Sequence, residues 1–382
     1  MKVAIYTDML SLHQIHLADE LYILCGENFR FFEMRKIADA EKAFYVKSSS
    51  RPYLVKVWED EKSKKEAMDW AITADVARFS SNSFEFPYLK ARLDKNLLTF
   101  EAGERWLKRG WLNILSSNLI KNLWYYHTQY KNKPFYKLCC SAYCANDQYL
   151  FHTFMGRCYK WGYFTNVDDY GDETLINTNR PDRPSLMWCA RFLKWKHPEM
   201  VIQLAHRLKL NNYDVQIDMF GAGEEMTKIK ALAKELGVDK MVMFKGNAPN
   251  EEIIRAMHQH DIFLFTSDRN EGWGAVLNEA MSNGCAVVAS NEIGAVPFLV
   301  RDGVNGMGFQ SRDLNSLYEK VVFLIDHPLV RKDLALKAYQ TMKNVWSPKQ
   351  AASNFLHLSK DLLEGRETSI KEGPCSRALP IY

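Results

Sequence analysis

The residues best suited to chemistry lie in one stretch, Glu271-Gly272-Trp273-Gly274-Ala275-Val276-Leu277-Asn278-Glu279-Ala280-Met281. It follows the apolar run Ile262 to Phe265, which reads as a buried strand, through a short polar loop. In an open α/β sheet, ligands bind beyond the carboxyl ends of the strands. Gly272 and Gly274 remove side chains where a helix must begin, leaving its free N–H groups and positive dipole end open to an anion. The main chain of Gly272, Trp273, Gly274 and Ala275 could therefore seat a diphosphate. Glu271 would stand beside that anion, and Glu279, two turns deeper, could accept hydrogen bonds from paired ribose hydroxyls. The competing reading is a glycine turn with two ordinary surface glutamates. Two glutamates with seven residues between them, around Gly-aromatic-Gly at a strand–helix junction, favour the ligand.

A second basic element, Cys189 to Pro198, also sits between a strand and a helix. Arg191 offers a planar guanidinium fork and Lys196 a mobile point charge. Together they could neutralise a diphosphate leaving group as its charge develops; a solvent-facing basic loop is the alternative. Gly221, in Phe220-Gly221-Ala222-Gly223-Glu224, could approach a ligand or serve only close packing at a strand end. Met226 stands where a dinucleotide fingerprint needs its third glycine, so a nicotinamide site is disfavoured. Gly246 and Asn247, after another strand, could present backbone groups to a nucleobase, or form an ordinary turn. There is no Asp-x-Asp, so no evident carboxylate pair for a metal, and no Walker A loop or Gly-x-Ser-x-Gly elbow. The diphosphate would then rely on Arg191, Lys196 and the helix start, with no metal.

These groups need a scaffold of alternating strands and helices. In the second half, strands are expected at Leu186 to Ala190, Val215 to Phe220, Met241 to Phe244, Ile262 to Phe265 and Ala286 to Ala289, with helical patterns between them. Such alternation implies a doubly wound parallel sheet. The first half begins strand–helix–strand, with Val3 to Tyr6, Ile15 to Cys25 and Phe29 to Met34. Further strands are expected at Asp75 to Phe79, Leu97 to Phe100, Leu138 to Ala142 and Cys158 to Gly162, and helices at Trp111 to Thr128 and Asn146 to Phe154. A polar linker spans Asp168 to Pro184, rich in Asp, Gly and Pro. The expected layout is a Rossmann-like domain over 1–180, a second over 181–346, a helix over 347–365 and a flexible tail over 366–382.

The 382 residues accommodate two domains, and 47% apolar with 25% charged residues excludes wholesale disorder. The net charge of +4 is unremarkable, but its distribution is not. From Arg105 to Lys137 there are seven cations, Arg105, Lys108, Arg109, Lys121, Lys131, Lys133 and Lys137, and no Asp or Glu. Aromatics including Trp106, Trp111, Trp124 and Tyr130 interleave with them. This pattern suits an anionic membrane surface; it would also suit nucleic acid, or be a solvated face over buried aromatics. The eight cysteines show no two-residue gap of a zinc or redox motif, and reduced thiols in a cytoplasmic compartment are expected. No run approaches the ~20 apolar residues of a membrane span, so any membrane contact would be peripheral.

The segment from about Ser185 to Phe309 resembles the large family of retaining GT-B glycosyltransferases marked by two glutamates with seven residues between. The resemblance rests on "EGWGAVLNEAMSNGCAVVAS", "GAVPFLVRDGVNG", "ARFLKWKHPEM" and "FKGNAPNEEI". In the first half, "YTDMLSLHQIHLADELY" and "LCCSAYCANDQYLFHTFMGRCYKWGYF" resemble a bacterial subgroup of capsular and exopolysaccharide assembly. The family's glycine-rich loop after the first strand has as its counterpart Thr7 to Gln14, which contains no glycine. The resemblance implies two Rossmann-like domains facing a cleft, with a C-terminal helix crossing back to the first. It implies that Arg191 and Lys196 bind the donor diphosphate and that Glu271 contacts the transferred sugar. Gly272 to Ala275 would hold phosphate and sugar, and Glu279 the ribose. The donor is then a UDP- or GDP-sugar, with no cofactor, and the acceptor a glycan or lipid-linked oligosaccharide on the cytoplasmic side; nucleic acid is not a partner. Same-face attack is the mechanism it favours, while the residues alone leave open Glu271 as a transient nucleophile. A nucleotide-sugar epimerase on the same fold, or a non-catalytic nucleotide-sugar-binding subunit, is the rival reading. The arrangement expected is an anion-holding helix start flanked by acids and faced by Arg191 and Lys196 across the interdomain gap.

Overall fold

The computed structural model describes residues 1–36, 51–80, 83–108, 110–171 and 183–381. The chain divides into two units, one of Met1–Thr165 with Val345–Tyr382, the other of Asn166–Asn344. The expected boundary near 180 therefore falls earlier. Asp168 to Gly171 packs on the second unit: the Tyr170 hydroxyl donates to Asn283 Oδ1 at 2.8 Å, its ring stacks on His258 at 4.6 Å, and the Tyr339 hydroxyl donates to Asp168 O at 3.0 Å. Residues 172–182 of the expected linker lie outside the described residues, as does Arg109.

In the first unit the sheet order is β3-β2-β1-β4-β5-β6-β7, all parallel. Its strands are β1 (Val3–Thr7), β2 (Phe29–Glu33), β3 (Leu54–Lys56), β4 (Val76–Phe79), β5 (Thr99–Gly103), β6 (Phe135–Cys139) and β7 (Cys158–Lys160). The helices are α1 (Ile15–Cys25), α2 (Glu61–Thr73), α3 (Phe86–Asp94), α4 (Ser117–Tyr125) and α5 (Cys144–Leu150). Tyr6 anchors one face of the sheet, stacked between Phe32 at 4.7 Å and Phe79 at 4.6 Å. The loop after β1 is tied down by buried Glu33, whose carboxylate accepts from Leu10 N at 3.2 Å and Trp58 Nε1 at 3.0 Å. That tie needs no glycine.

Two expected strands sit in shifted positions here. β5 and β6 begin and end around a charged pair, Glu101 and Lys137, which are register partners with Nζ and Oε1 2.9 Å apart. Burial favours the neutral amine of fully buried Lys137, but the Glu101 carboxylate outweighs it and holds the ammonium above its ordinary value. A charge inside each strand hides it from an apolar-run reading. The helix expected over Trp111 to Thr128 is broken into a 3-10 turn (Trp111–Leu115), α4 and a π turn (Tyr126–Tyr130). Ser116 is extended at φ −65° and ψ 123°, which ends the first turn.

The second unit has the order β10-β9-β8-β11-β12-β13, again all parallel. Its strands are β8 (Ser185–Cys189), β9 (Gln216–Phe220), β10 (Val242–Gly246), β11 (Ile262–Phe265), β12 (Ala286–Ser290) and β13 (Met307–Phe309). Its helices are α6 (Pro198–Leu210), α7 (Met226–Glu235), α8 (Asn250–Gln259), α9 (Ala275–Ser282), α10 (Val296–Leu299), α11 (Leu314–Asp326) and α12 (Pro328–Asn344). Leu186, Ile217, Leu264 and Val288 from the central strands meet Val201, Leu204 and Leu208 of α6 in one apolar core. Helix α13 (Pro348–Leu363) returns to the first unit, where Phe355 packs on Phe100 and Trp161 at 5.3 and 5.7 Å.

The tail expected to be flexible after 365 is instead held against β7. Cys375 N donates to Lys160 O at 2.8 Å, Lys160 N to Ser376 O at 2.8 Å and Ala378 N to Cys158 O at 3.0 Å. These bonds satisfy an edge strand that would otherwise expose its donors and acceptors. All eight cysteines are free thiols, and among the described residues no helix is long and apolar enough to cross a membrane.

Two glycines at the ends of β9 and β10 separate packing from backbone strain. A Cβ on Gly221 would sit 2.0 Å from Ala190 O, whereas one on Gly246 meets nothing within 4 Å, although its φ is +72°. Gly221→Ala should cost about 3 kcal/mol or more, and Gly246→Ala only about 1–2 kcal/mol. Urea denaturation of the two purified variants measures the gap; equal losses would mean the Ala190 contact yields freely.

Candidate active site

Parallel register brings two loops to one edge of the second sheet. Leu264 of β11 pairs with Trp188 of β8, so residues 190–197 and 266–274 leave the sheet side by side. The loops are stitched together through main chain. Asp268 N donates to Trp195 O at 3.0 Å, and the Thr266 hydroxyl donates to Lys196 O at 2.7 Å while accepting from Trp188 Nε1 at 2.9 Å. On the far side Phe192 N donates to Ala222 O at 2.9 Å and Glu225 N to Phe192 O at 3.0 Å. Gly221, whose N–H donates to Gly246 O at 2.7 Å, lets this wall close on Ala190. Close packing thus accounts for the glycine at 221.

At the centre, Lys196 Nζ forms an ion pair with Glu271 Oε2, and both side chains are nearly buried. The ammonium lies 4.3 Å from the Trp195 ring centroid and 5.9 Å from that of Phe265, and the Ser267 hydroxyl donates to the same carboxylate oxygen at 3.0 Å. Lys196 and Glu271 both belong to the second unit, as do Arg191 and Glu279, so the pair forms within one sheet edge and not across an interdomain gap. Arg191 is exposed, with no carboxylate partner and no side-chain hydrogen bond among the described residues.

Gly274 adopts the left-handed conformation at φ 92° and caps α9 without any side chain. A Cβ there would meet the Phe265 ring at 2.6 Å, so packing requires glycine and the first N–H groups of α9 are left without a side-chain acceptor. Trp273 is almost fully buried, with its indole N–H donating to Asn278 Oδ1 at 2.9 Å. Only its main chain remains for a ligand. Asn247 is exposed beyond β10.

Glu279 lies one turn into α9, and its carboxyl makes no hydrogen bond to the described residues. Surrounding protein, with nothing to offset the lost water, pushes its carboxyl up to about 7. Its field reaches Cys189, whose thiol is pushed up to about 12 by burial first and by Glu279 second, while Lys196 pulls it down. Cys189 is thus flanked by Glu279 and Lys196, with Arg191 two residues along.

The supporting residues were not singled out in the sequence. Besides Thr266 and Ser267, Asp268 accepts from Asn270 N at 2.9 Å and holds His197 at 3.2 Å, with Glu199 on the other imidazole nitrogen at 2.7 Å. These two carboxylates, Asp268 foremost, raise His197 to about 9. The signal available was the unbroken polar run Thr266-Ser267-Asp268-Arg269-Asn270 after an apolar strand.

The carboxyl end of this sheet therefore offers an open helix start, an ammonium poised on a carboxylate, and a guanidinium and a second carboxyl that lack partners among the described residues. That set can hold a diphosphate, stabilise a departing anion and accept hydrogen bonds from a diol.

Comparison with known proteins bears on the family and the fold. The model of the family described as "Glycosyl transferases group 1" matches residues 173–341. An uncharacterized glycosyltransferase of Methanocaldococcus jannaschii is 22% identical over 307 residues, covering 78% of this chain and 76% of that protein. A trehalose synthase of Pyrococcus horikoshii is 29% identical over 171 residues, 43% of this chain, and the chain matches only 40% of its length. Among solved structures, Anabaena Alr3699/HepE in complex with UDP superposes with a TM-score of 0.70 at 15% identity, over 93% of this chain and 99% of that one. The chain thus has the GT-B fold of two Rossmann-like parallel-sheet domains, and its residues 173–341 are similar to the glycosyl transferases group 1 family.

Proposed function

We propose that the chain is a retaining glycosyltransferase that moves a hexosyl-type sugar from a UDP- or GDP-sugar to a glycan or lipid-linked acceptor of a surface polysaccharide, without a metal. The observation that carries this reading is the Lys196–Glu271 pair, set beside the uncapped start of α9. In the free protein Lys196 is held by Glu271. A bound diphosphate would draw the ammonium toward itself, with Arg191 and the α9 N–H groups, as the sugar–phosphate bond lengthens and charge builds on the leaving oxygen. Glu271, released toward the sugar, would then face the positive charge growing at the anomeric carbon. Same-face attack would leave the anomeric configuration unchanged, with the donor phosphate assisting the acceptor hydroxyl.

The UDP carried by HepE and the first-half resemblance to polysaccharide assembly enzymes support the donor and acceptor classes. Glu271→Gln and Lys196→Ala should each lower turnover on the order of 100-fold or more while circular dichroism stays native. Lys194→Ala, an exposed neighbour, should leave turnover near the wild-type rate, and EDTA should not change it. Proton NMR of the product reads the anomeric configuration. Wild-type rates in both Glu271→Gln and Lys196→Ala would sink the assignment.

Glu279 gives a pH signature. Its carboxyl is raised to about 7, so the ionised form is disfavoured in the free protein. Ribose hydroxyls donating to it would favour ionisation, and binding would release a proton. Affinity for uridine diphosphate should therefore rise as pH increases through about 7, beyond any change seen with Glu279→Gln. Identical pH profiles for the two proteins, measured by calorimetry, would remove Glu279 from the nucleotide site.

A further inference from the structure

The first unit carries a helix that leaves large apolar side chains outside. In α4, Leu119 is the only fully buried residue. Its Asn118, Lys121, Asn122 and Tyr125 line a cavity of about 390 Å³ shared with Trp106 and Glu101. Two large apolar residues of the same helix lie outside: Ile120 and Trp124, one turn apart, are each 55% exposed. The preceding 3-10 turn adds Trp111, Leu112 and Leu115 at 66%, 81% and 77% exposure. No other stretch of this length among the described residues exposes as many large apolar side chains. A helix folding only onto its own unit would bury these residues. An outward apolar face of this size marks an interaction surface.

The charges beside it select the partner. No acid occurs from Arg105 to Lys137. Lys137 is buried on Glu101, Arg105 is paired with Asp147 and Lys108 with Glu104, so these add little outward charge. Lys121 and Lys131 are exposed and have no carboxylate partner among the described residues. Lys121 lies 5.2 Å from the Phe86 ring, and Lys133 meets only the neutral Asn96. Exposed tryptophans, leucines and an isoleucine, with uncompensated lysines and no acid, match a bilayer interface bearing anionic headgroups.

We propose that the 3-10 turn and α4, from Trp111 to Trp124, form the surface by which this protein docks onto an anionic lipid bilayer. The indoles and leucines would enter the headgroup–acyl boundary, and Lys121, Lys131 and Lys133 would lie over the phosphates. The inference stands apart from the sugar-transfer reading, because it uses only the first unit and needs no nucleotide.

The test is flotation of the full chain, without donor or acceptor, on vesicles of phosphatidylcholine alone or mixed with phosphatidylglycerol. Binding should appear only with phosphatidylglycerol and fall as salt is raised. Lys121→Glu with Lys131→Glu should weaken it by about fivefold or more per lysine. Trp111→Ser with Leu112→Ser and Leu115→Ser should abolish it, and Leu329→Ser, an equally exposed leucine of the second unit, should have no effect. Brominated acyl chains should quench tryptophan emission of the unaltered protein, a readout independent of any variant's folding. Absence of binding to phosphatidylglycerol vesicles would overturn the proposal. So would unquenched emission, or a protein dimer in sedimentation that the triple substitution dissociates while vesicle binding is nil. Turnover on a water-soluble acceptor should survive the triple substitution, so docking and transfer can fail separately.

Discussion

The Lys196–Glu271 ion pair depends on parallel register, and the sugar-transfer chemistry proposed for the second unit depends on the pair. Neither residue lies on a strand or in the core of a helix. Each is delivered by a loop leaving a neighbouring strand, and the loops are fixed by the Asp268–Trp195 and Thr266–Lys196 main-chain bonds. Nearly buried charges such as these are stable only together; a lone charge left after losing its partner typically costs ~3–5 kcal/mol. The pair therefore locks both loops in the free protein while keeping its two charges ready for separate tasks. An ammonium already desolvated over Trp195 and Phe265 loses little hydration when it turns to a phosphate.

The surrounding charges are deliberately unbalanced in opposite senses. Arg191 and the start of α9 present positive charge with no acid among the described residues to quench it. Glu279 presents a carboxyl with no donor among the described residues. In a protein folding for stability alone, an N-cap side chain at position 274 and a hydroxyl beside Glu279 would each lower the free energy. Position 274 cannot take one, because the Phe265 ring fills the space beyond its Cα. The open helix start is thus enforced by packing from the strand beneath it, which ties an anion-receptive feature to the hydrophobic core.

Legibility in the sequence followed the distribution of charge. In the second unit, strands such as Ile262–Phe265 are wholly apolar, and their loops carry the polar residues, so both the sheet and the two glutamates could be placed. In the first unit, Glu101 and Lys137 pair inside adjacent strands, and the expected β5 and β6 slid toward purer apolar runs. Helix α2, Glu-Lys-Ser-Lys-Lys-Glu-Ala-Met-Asp-Trp-Ala-Ile-Thr, buries only Ala67 and Ala71 and leaves too sparse a stripe to see. The short β3 and β13, three residues each, fall below the length at which periodicity has meaning. The brace of Thr266 on Lys196 and of Asp268 on His197 was invisible for another reason: these partners are 70 and 71 residues apart and meet only through strand order.

The tail shows how an edge can change a reading based on composition. Residues after Glu364 are polar and proline-bearing, which in isolation argues against order. Yet β7 closes its sheet with donors and acceptors that need partners, and the chain from Cys375 to Ala378 supplies them. Cys375, fully buried, takes a left-handed φ of 68° to make the turn, and Asn146 grips Ile381 from the other side. Such backbone strain persists only where neighbouring contacts over-determine it. Here those contacts are the β7 ladder and the side of α13, where Asn354 Nδ2 donates to Pro374 O at 2.9 Å. The tail thereby joins the returning helix to the last strand of the first unit, and its order follows from the unmet hydrogen bonds of that strand, which no local composition could reveal.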